Sequence, residues 1–339
     1  MSQQTKPCDV SIIVPTFNEQ DNVGPLLEEL SRVLDKTGLD CEIIFVDDGS
    51  SDRTLERLIR ITEHDPRACV LELRRNFGQT AAMAAGIEQS RGKVVIPMDA
   101  DLQNDPRDIP ALLDKLDGPP PCDIVSGWRR DRRDKWLTRQ LPSQIANAII
   151  RRVTRVGIHD FGCTLKAYRR EVLEDISLSS DLHRFLPALA AWQGASITEL
   201  VVNHRPRIHG RTKYGLWRTV RVVLDLITVK FLGSYMTRPL HFFGKIGFAA
   251  AMLAIAVLAV AVGQKYGYFG QPEGLNLNRN VLTSLSSLLI FFSVQCVLFG
   301  IVSELLVRVY HDIKDRPIYR IRRVHRTIPA DPPGKTKSS

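Results

Sequence analysis

The chain reads as an α/β fold with a mainly parallel sheet, followed by amphipathic helices suited to a membrane surface and then by two transmembrane helices. Three observations predict this. Strand-length apolar runs alternate with helical periodicity through residues 1–230; the basic segments around 128–153 and 203–230 carry apolar residues at helical spacing; and Leu240–Val262 and Val281–Val307 are apolar runs long enough to cross a bilayer.

Val10–Val14 is a first strand, broken by Pro15 and followed by Thr16-Phe17-Asn18-Glu19. Leucines 26, 27, 30 and 34 share one face of a helix over Val23–Leu34. Cys41–Val46 is a second strand running into Asp47-Asp48-Gly49-Ser50-Ser51-Asp52, and Asp52 is placed to cap the helix that carries Leu55, Leu58 and Ile59. A third strand, Ala68–Leu73, leads through Arg74–Gly78 to an alanine-rich helix ending near Gln89. The fourth strand, Lys93–Met98, ends abruptly in Asp99-Ala100-Asp101-Leu102-Gln103. This β-α-β-α order implies right-handed crossovers between parallel strands, whose carboxyl edge is where open α/β sheets bind ligands.

Two carboxylates one residue apart at such an edge repel each other and need a compensating cation. Their hard oxygens suit Mg²⁺ or Mn²⁺, and no His or Cys lies beside the pair to favour zinc. A strand that merely ends in an Asp-containing turn is the alternative.

The formal charge of +9 is compatible with nucleic acid, an anionic membrane surface or a phosphorylated substrate. The six cysteines have no C-x-x-C spacing, so neither a zinc cluster nor a disulfide framework is indicated and a reducing, cytosolic setting follows. Met1–Asp9 is short and polar, unlike a signal peptide.

After a strand over Asp123–Gly127 the chain turns basic, and Trp136, Leu137, Leu141, Ile145, Ile149 and Val153 recur at helical spacing. Ahead of membrane spans, attraction to anionic headgroups accounts for this better than nucleic acid does. A strand over Phe161–Tyr168, a helix near Leu182–Gln193 and a strand over Ile197–Val202 precede a basic loop, Asn203–Lys213, and an interfacial helix, Gly215–Lys230. Within the spans only Lys245 and Glu304 are charged, each near an end. The intervening 263–280 is weakly charged, whereas both flanks are basic, which puts the N-terminal domain and C-terminus in the cytoplasm. The expected divisions are 1–214, a catalytic domain; 215–238, a juxtamembrane helix; 240–309, two spans with a short external loop; and 310–339, a basic tail.

Ser11–Glu19, Val46–Thr54 and Met98–Gln103, in that order, resemble three successive signatures of family-2 glycosyltransferases with the GT-A nucleotide-sugar fold. With the two spans, the whole chain is similar to polyprenyl-phosphate glycosyltransferases. Asp160–Arg169 and Gly210–Gly215 especially resemble undecaprenyl-phosphate 4-deoxy-4-formamido-L-arabinose transferases. The resemblance implies that Pro15, Phe17, Glu19, Asp48 and Asp99 border the donor nucleotide, with Asp48 accepting from the base, while Asp47 fits a structural role. It implies catalytic Asp99 and Asp101, a Mg²⁺ or Mn²⁺ on Asp99, Asp101 and Gln103, and an acceptor phosphate held by Arg129, Arg139, Ser143, Arg207 and Lys213.

The activity so implied is inverting transfer from a nucleotide sugar, a UDP-sugar above all, to polyprenyl phosphate at the bacterial inner membrane. It would serve lipid A or cell-envelope glycan modification, through a homo-oligomer, a tetramer by expectation. The sugar is not identified, although an amino-sugar donor gains weight. A processive polysaccharide synthase lacks support because the chain has no Q-x-x-R-W motif and few spans; a silent membrane scaffold is the rival from another class.

Overall fold

Continuous burial along β1 (Cys8–Thr16) sets the architecture: Ile12 and Val14 enter one apolar layer and Ile13 the other, as side chains of a strand must when both faces are covered. The computed structural model describes residues 7–130, 141–174, 176, 182–206, 239–266, 277, 280–312 and 319–326. They fall into two units, 1–229 with 317–339, and 230–316.

In the first unit the chain continues through α1 (Val23–Leu34), β2 (Cys41–Asp47), α2 (Thr54–Thr62), β3 (Ala68–Leu73), α3 (Gln79–Gln89) and β4 (Gly92–Pro97). Then follow α4 (Ile109–Asp117), β5 (Ile124–Trp128), α5 (Leu141–Thr154), β6 (Lys166–Arg169), α6 (Arg170–Glu174), α7 (Leu186–Trp192) and β7 (Ile197–Val201). The second unit holds α8 (Pro239–Lys265) and α9 (Val281–Asp312), after which β8 (Ile321–Arg326) belongs again to the first.

The strands form one eight-stranded sheet in the order β7-β5-β6-β4-β1-β2-β3-β8. Neighbours β4-β1-β2-β3 and the pair β5-β7 are parallel; β6 runs against β4 and β5, and β8 against β3. Leucines of α1, Leu58 of α2 and Ile109, Leu112 and Leu116 of α4 cover one face. Ala81, Ala82 and Ala85 of α3 cover the other, with Leu173 of α6 and Leu186 of α7. The small face of α3 lets it lie close: a Cβ on Gly86 would stand 2.4 Å from Ile13 Cγ2.

Several elements differ from the pattern in the sequence. The helix after the second strand starts at Thr54 with Arg53 at its N-cap, and Asp52 instead accepts from Thr54 N (2.9 Å) and Oγ1 (2.5 Å) just outside it. The strand expected from Phe161 begins only at Lys166, because Asp160 ties down the preceding loop through Gly162 N (3.1 Å) and Arg129. Residues 182–185 form a 3-10 turn ahead of α7. Part of the stretch expected as a basic tail is β8, anchored by Tyr319, which is 5% exposed and donates from Oη to Glu88 Oε2.

In the second unit, α8 and α9 contain segments long and apolar enough to cross a membrane, Leu240–Lys265 and Val281–Leu306. Both are apolar all round, with Phe248 70% and Phe291 68% exposed, the signature of helices meant for an apolar surrounding. They pack through small residues: a Cβ on Gly247 would stand 3.0 Å from Ser293 O, and Ser286 Oγ donates to Ala254 O (2.9 Å).

Candidate functional site

Because β1 to β5 and β7 share one direction, their carboxyl ends gather at one edge of the sheet, and the reversed β6 starts from that same edge. This brings together Pro15 near the end of β1, Phe17 and Glu19 after it, Asp48 after β2, Asp99 and Asp101 after β4 and Arg129 after β5, with loop 160–165 entering β6. Those are the ends at which such sheets take ligands.

Asp99 is half-buried and both its oxygens accept hydrogen bonds from neutral groups, Oδ1 from Gln79 Nε2 at 2.8 Å and Oδ2 from Thr164 Oγ1. Burial, reinforced by the negative charge of Asp101, pushes the Asp99 carboxyl above the usual range; the Thr164 bond and the charges of Arg129 and Arg184 oppose the rise. Asp101 is 8% exposed and its Oδ1 accepts from Gln103 N at 3.2 Å. Between them and Gln103 sits Leu102 with φ +60°, left-handed backbone that a non-glycine residue adopts at a cost of about 1–3 kcal/mol.

Arg129, its side chain 13% exposed, is held in a two-pronged pair by Asp160, Nε to Oδ2 at 2.7 Å and Nη2 to Oδ1 at 3.1 Å. Lys166 is 3% exposed and donates from Nζ to the carbonyls of Phe161 (3.3 Å) and Cys163. Burial draws the Lys166 ammonium below its ordinary range, against the nearby charges of Asp160 and Asp99. Beyond this pair, His159 stacks on Trp128 at 4.4 Å and meets Glu199 through Nδ1 at 2.6 Å.

After β2, Asp48 accepts from Phe77 N (2.7 Å) and Gly78 N (2.9 Å), so it fixes the entry to α3 and hence Gln79. Burial raises the Asp48 carboxyl, and those two bonds oppose it. Asp47 folds back on its own loop, accepting from Ser50 N at 3.2 Å. Gly49, at φ +69°, allows Arg75 to approach: a Cβ there would stand 2.6 Å from the Arg75 carbonyl carbon. The β1 loop is tied to the same turn, Asn18 N donating to Ser50 Oγ (3.0 Å) and Glu19 N to Thr54 Oγ1 (2.8 Å).

Gln103 bonds to residues 203–206: Arg205 N donates to Gln103 O (2.9 Å) and Gln103 Nε2 lies 3.5 Å from Arg205 O. The Arg205 guanidinium bridges Asp105 and Glu29, both at 2.7 Å. The root of the basic loop is therefore bolted to the segment that carries the paired acids.

Of the expected acceptor contacts, Arg129 lies at this edge and Ser143 lies in α5, while Arg139, Arg207 and Lys213 fall outside the described residues. So do the interfacial helix 215–230 and the tail 329–339. Reading the sequence assigned no role to Gln79, Thr164, Asp160 or Arg205. Asp160 and Thr164 lie in the stretch 160–169 that carries a family resemblance, but nothing local says that Thr164 meets a carboxylate 65 residues away.

Residues 11–177 match the Glycosyl transferase family 2. The chain is 39% identical over 319 residues to the dodecaprenyl-phosphate galacturonate synthase of Rhizobium johnstonii, covering 93% of each. It is 36% identical over 328 residues to the undecaprenyl-phosphate 4-deoxy-4-formamido-L-arabinose transferase of Edwardsiella ictaluri, covering 95% of this chain and 96% of that one. Its fold is similar to glucosyl-3-phosphoglycerate synthase from Mycobacterium tuberculosis in complex with Mn²⁺ and UDP-glucose, at a TM-score of 0.53 and 20% identity over 66% of this chain and 79% of that one. With its acids and arginine gathered at the edge of a GT-A sheet and relatives along nearly its full length, the chain belongs to glycosyl transferase family 2 and is a glycosyltransferase.

Proposed function

We propose that the chain transfers a sugar from a nucleotide sugar, a UDP-sugar above all, to a polyprenyl phosphate at the cytoplasmic face of a bacterial inner membrane. The observation that carries the reading is the shared edge of the sheet, where Asp99 and Asp101, just past β4, stand with Arg129, just past β5. The polyprenyl-phosphate acceptor is supported by the activities of the two relatives, which align with this chain over nearly its full length.

The paired acids fit a divalent cation. Asp99 is pushed toward protonation by burial and by Asp101, a penalty that a cation relieves, and its oriented oxygens are hard donors. Among the described residues no group of three His, Cys, Asp or Glu could hold a metal ion, which suits Mg²⁺ or Mn²⁺ bound by one or two carboxylates plus substrate phosphates. Asp99 and Asp101 would hold it, with Gln103 beside them, and when bound it offsets charge on the departing nucleoside diphosphate.

The protein's own task is to bring two anions together. A phosphate monoester has its second pKa near about 6, so the acceptor is largely dianionic at neutral pH and attacks the anomeric carbon without a strong general base. One phosphate oxygen bonds to that carbon as the bond to the nucleoside diphosphate breaks, inverting the centre. Arg129, with Arg139, Ser143, Arg207 and Lys213, orients and charge-balances the acceptor. Asp48 and the β1 loop border the base.

The return of β8 to β3 supports the orientation: residues preceding α8 and following α9 share one folded unit, so both lie on the same side of any membrane the helices cross. Basic flanks make that side the cytoplasm.

The test incubates purified full-length protein with undecaprenyl phosphate and a panel of UDP-sugars that includes uronic and amino sugars, and weighs the lipid product. A single sugar added to the lipid phosphate is expected, lost in Asp101→Asn. A polymer would point to a processive synthase, and no product with any donor to a scaffold.

A further inference from the structure

Arg129 and Lys166 stand at the same edge of the sheet as Asp99, yet among the described residues Asp99 hydrogen-bonds to neither. Both are claimed by the loop that enters β6. Asp160 takes the Arg129 guanidinium with both oxygens, and the carbonyls of Phe161 and Cys163 take the Lys166 ammonium. The same loop then sends one neutral group, the Thr164 hydroxyl, to Asp99 Oδ2, while Gln79 at the start of α3 sends its amide to Oδ1.

This partition has a chemical consequence. A guanidinium bonded to Asp99 would neutralise the carboxylate and compete with a metal ion, whereas hydroxyl and amide donors orient it and leave its charge intact. Outer donors of this kind set the direction of a ligand's remaining lone pairs, and losing one costs about 10–100-fold in metal affinity. Gln79 is itself held in place, since the backbone just before it is pinned by Asp48.

We propose that Thr164 and Gln79 are positioning residues that aim the Asp99 carboxylate at a divalent cation, and that the 160–166 loop keeps Arg129 and Lys166 from quenching it. The proposal rests on the metal-dependent reading above.

The experiment measures Mn²⁺ binding to the full-length protein by electron paramagnetic resonance, with and without UDP and without turnover, for the parent protein, Thr164→Val, Thr164→Ser and Gln79→Met. Thr164→Val and Gln79→Met are expected to weaken Mn²⁺ binding about 10-fold or more, and Thr164→Ser, which keeps the hydroxyl, to stay within about threefold of the parent. A merely structural threonine would lower the unfolding temperature without this rescue pattern. Parent-like Mn²⁺ affinity in folded Thr164→Val and Gln79→Met would overturn the proposal while leaving the metal site standing. A parent protein that binds no Mn²⁺, even with UDP, would overturn both. Should Thr164→Val not fold, Gln79→Met decides from the opposite side of the carboxylate.

Discussion

Arg129 and Asp160 form a two-pronged ion pair, 2.7 Å and 3.1 Å long, with side chains only 13% and 5% exposed. Both ions have left water, and their mutual bonds offset that loss only while both are present. The pair therefore fixes a guanidinium at the edge where the acids stand.

Asp160→Asn is expected to cost about 3 kcal/mol in a urea titration, because it strands a buried guanidinium. The double variant Arg129→Met with Asp160→Leu should recover most of that loss, since neither charge then remains. Glycosyl transfer should stay impaired in both, which separates the fold's need for the pair from the reaction's need for Arg129.

Asp99→Asn and Asp101→Asn keep side-chain size and remove charge. Each is expected to lower turnover by roughly 10²–10³-fold, the scale of one lost electrostatic contact to a developing charge. Chelation with EDTA should abolish product formation in the parent, and Mg²⁺ or Mn²⁺ should restore it. Circular dichroism of the variants should match the parent.

Asp105 gives acid sensitivity of known sign. Burial would raise its carboxyl, but hydrogen bonds and charge from Arg107 and Arg205 hold it down to about 2, from 3.8. A depressed carboxyl contributes stability that is fully present above the unfolded value and is lost as pH falls through the folded one. The contribution should thus fade between about pH 4 and pH 2, on the order of 2 kcal/mol in total. Asp105→Asn should be less stable at neutral pH and show a flatter dependence over that interval, read by denaturant titration at each pH.

Tyr319 anchors β8 beside β3 and joins the layer that contains Leu71 and Leu73. Tyr319→Phe, which loses only the bond to Glu88, is expected to cost about 1 kcal/mol, and Tyr319→Ala about 3 kcal/mol or more. Both should speed hydrogen exchange at the amides of β8. Reporters fused before the first residue and after the last should fall on the same side of the membrane, as the shared sheet requires.

The sequence by itself determined the elements whose signals are local. Alternating or continuous apolar runs located β1 to β4, the leucine spacing matched α1 from Val23 to Leu34, and the abrupt stop after Met98 put Asp99 and Asp101 at a strand end. The two long apolar helices were legible for the same reason, since length and composition suffice for them. Only the tertiary structure decided that β6 runs backwards, that Ile321–Arg326 leaves the expected tail to close the sheet beside β3, that Thr164 and Gln79 meet Asp99, that Asp160 holds Arg129, and that Arg205 meets Gln103. Gln79 and Thr164 meet Asp99 across 20 and 65 positions of the chain, and Arg322 of β8 meets Glu72 of β3 across 250. Periodicity reports which face a side chain uses, but the order and direction of strands choose its partner, and that choice is settled by packing across the whole sheet.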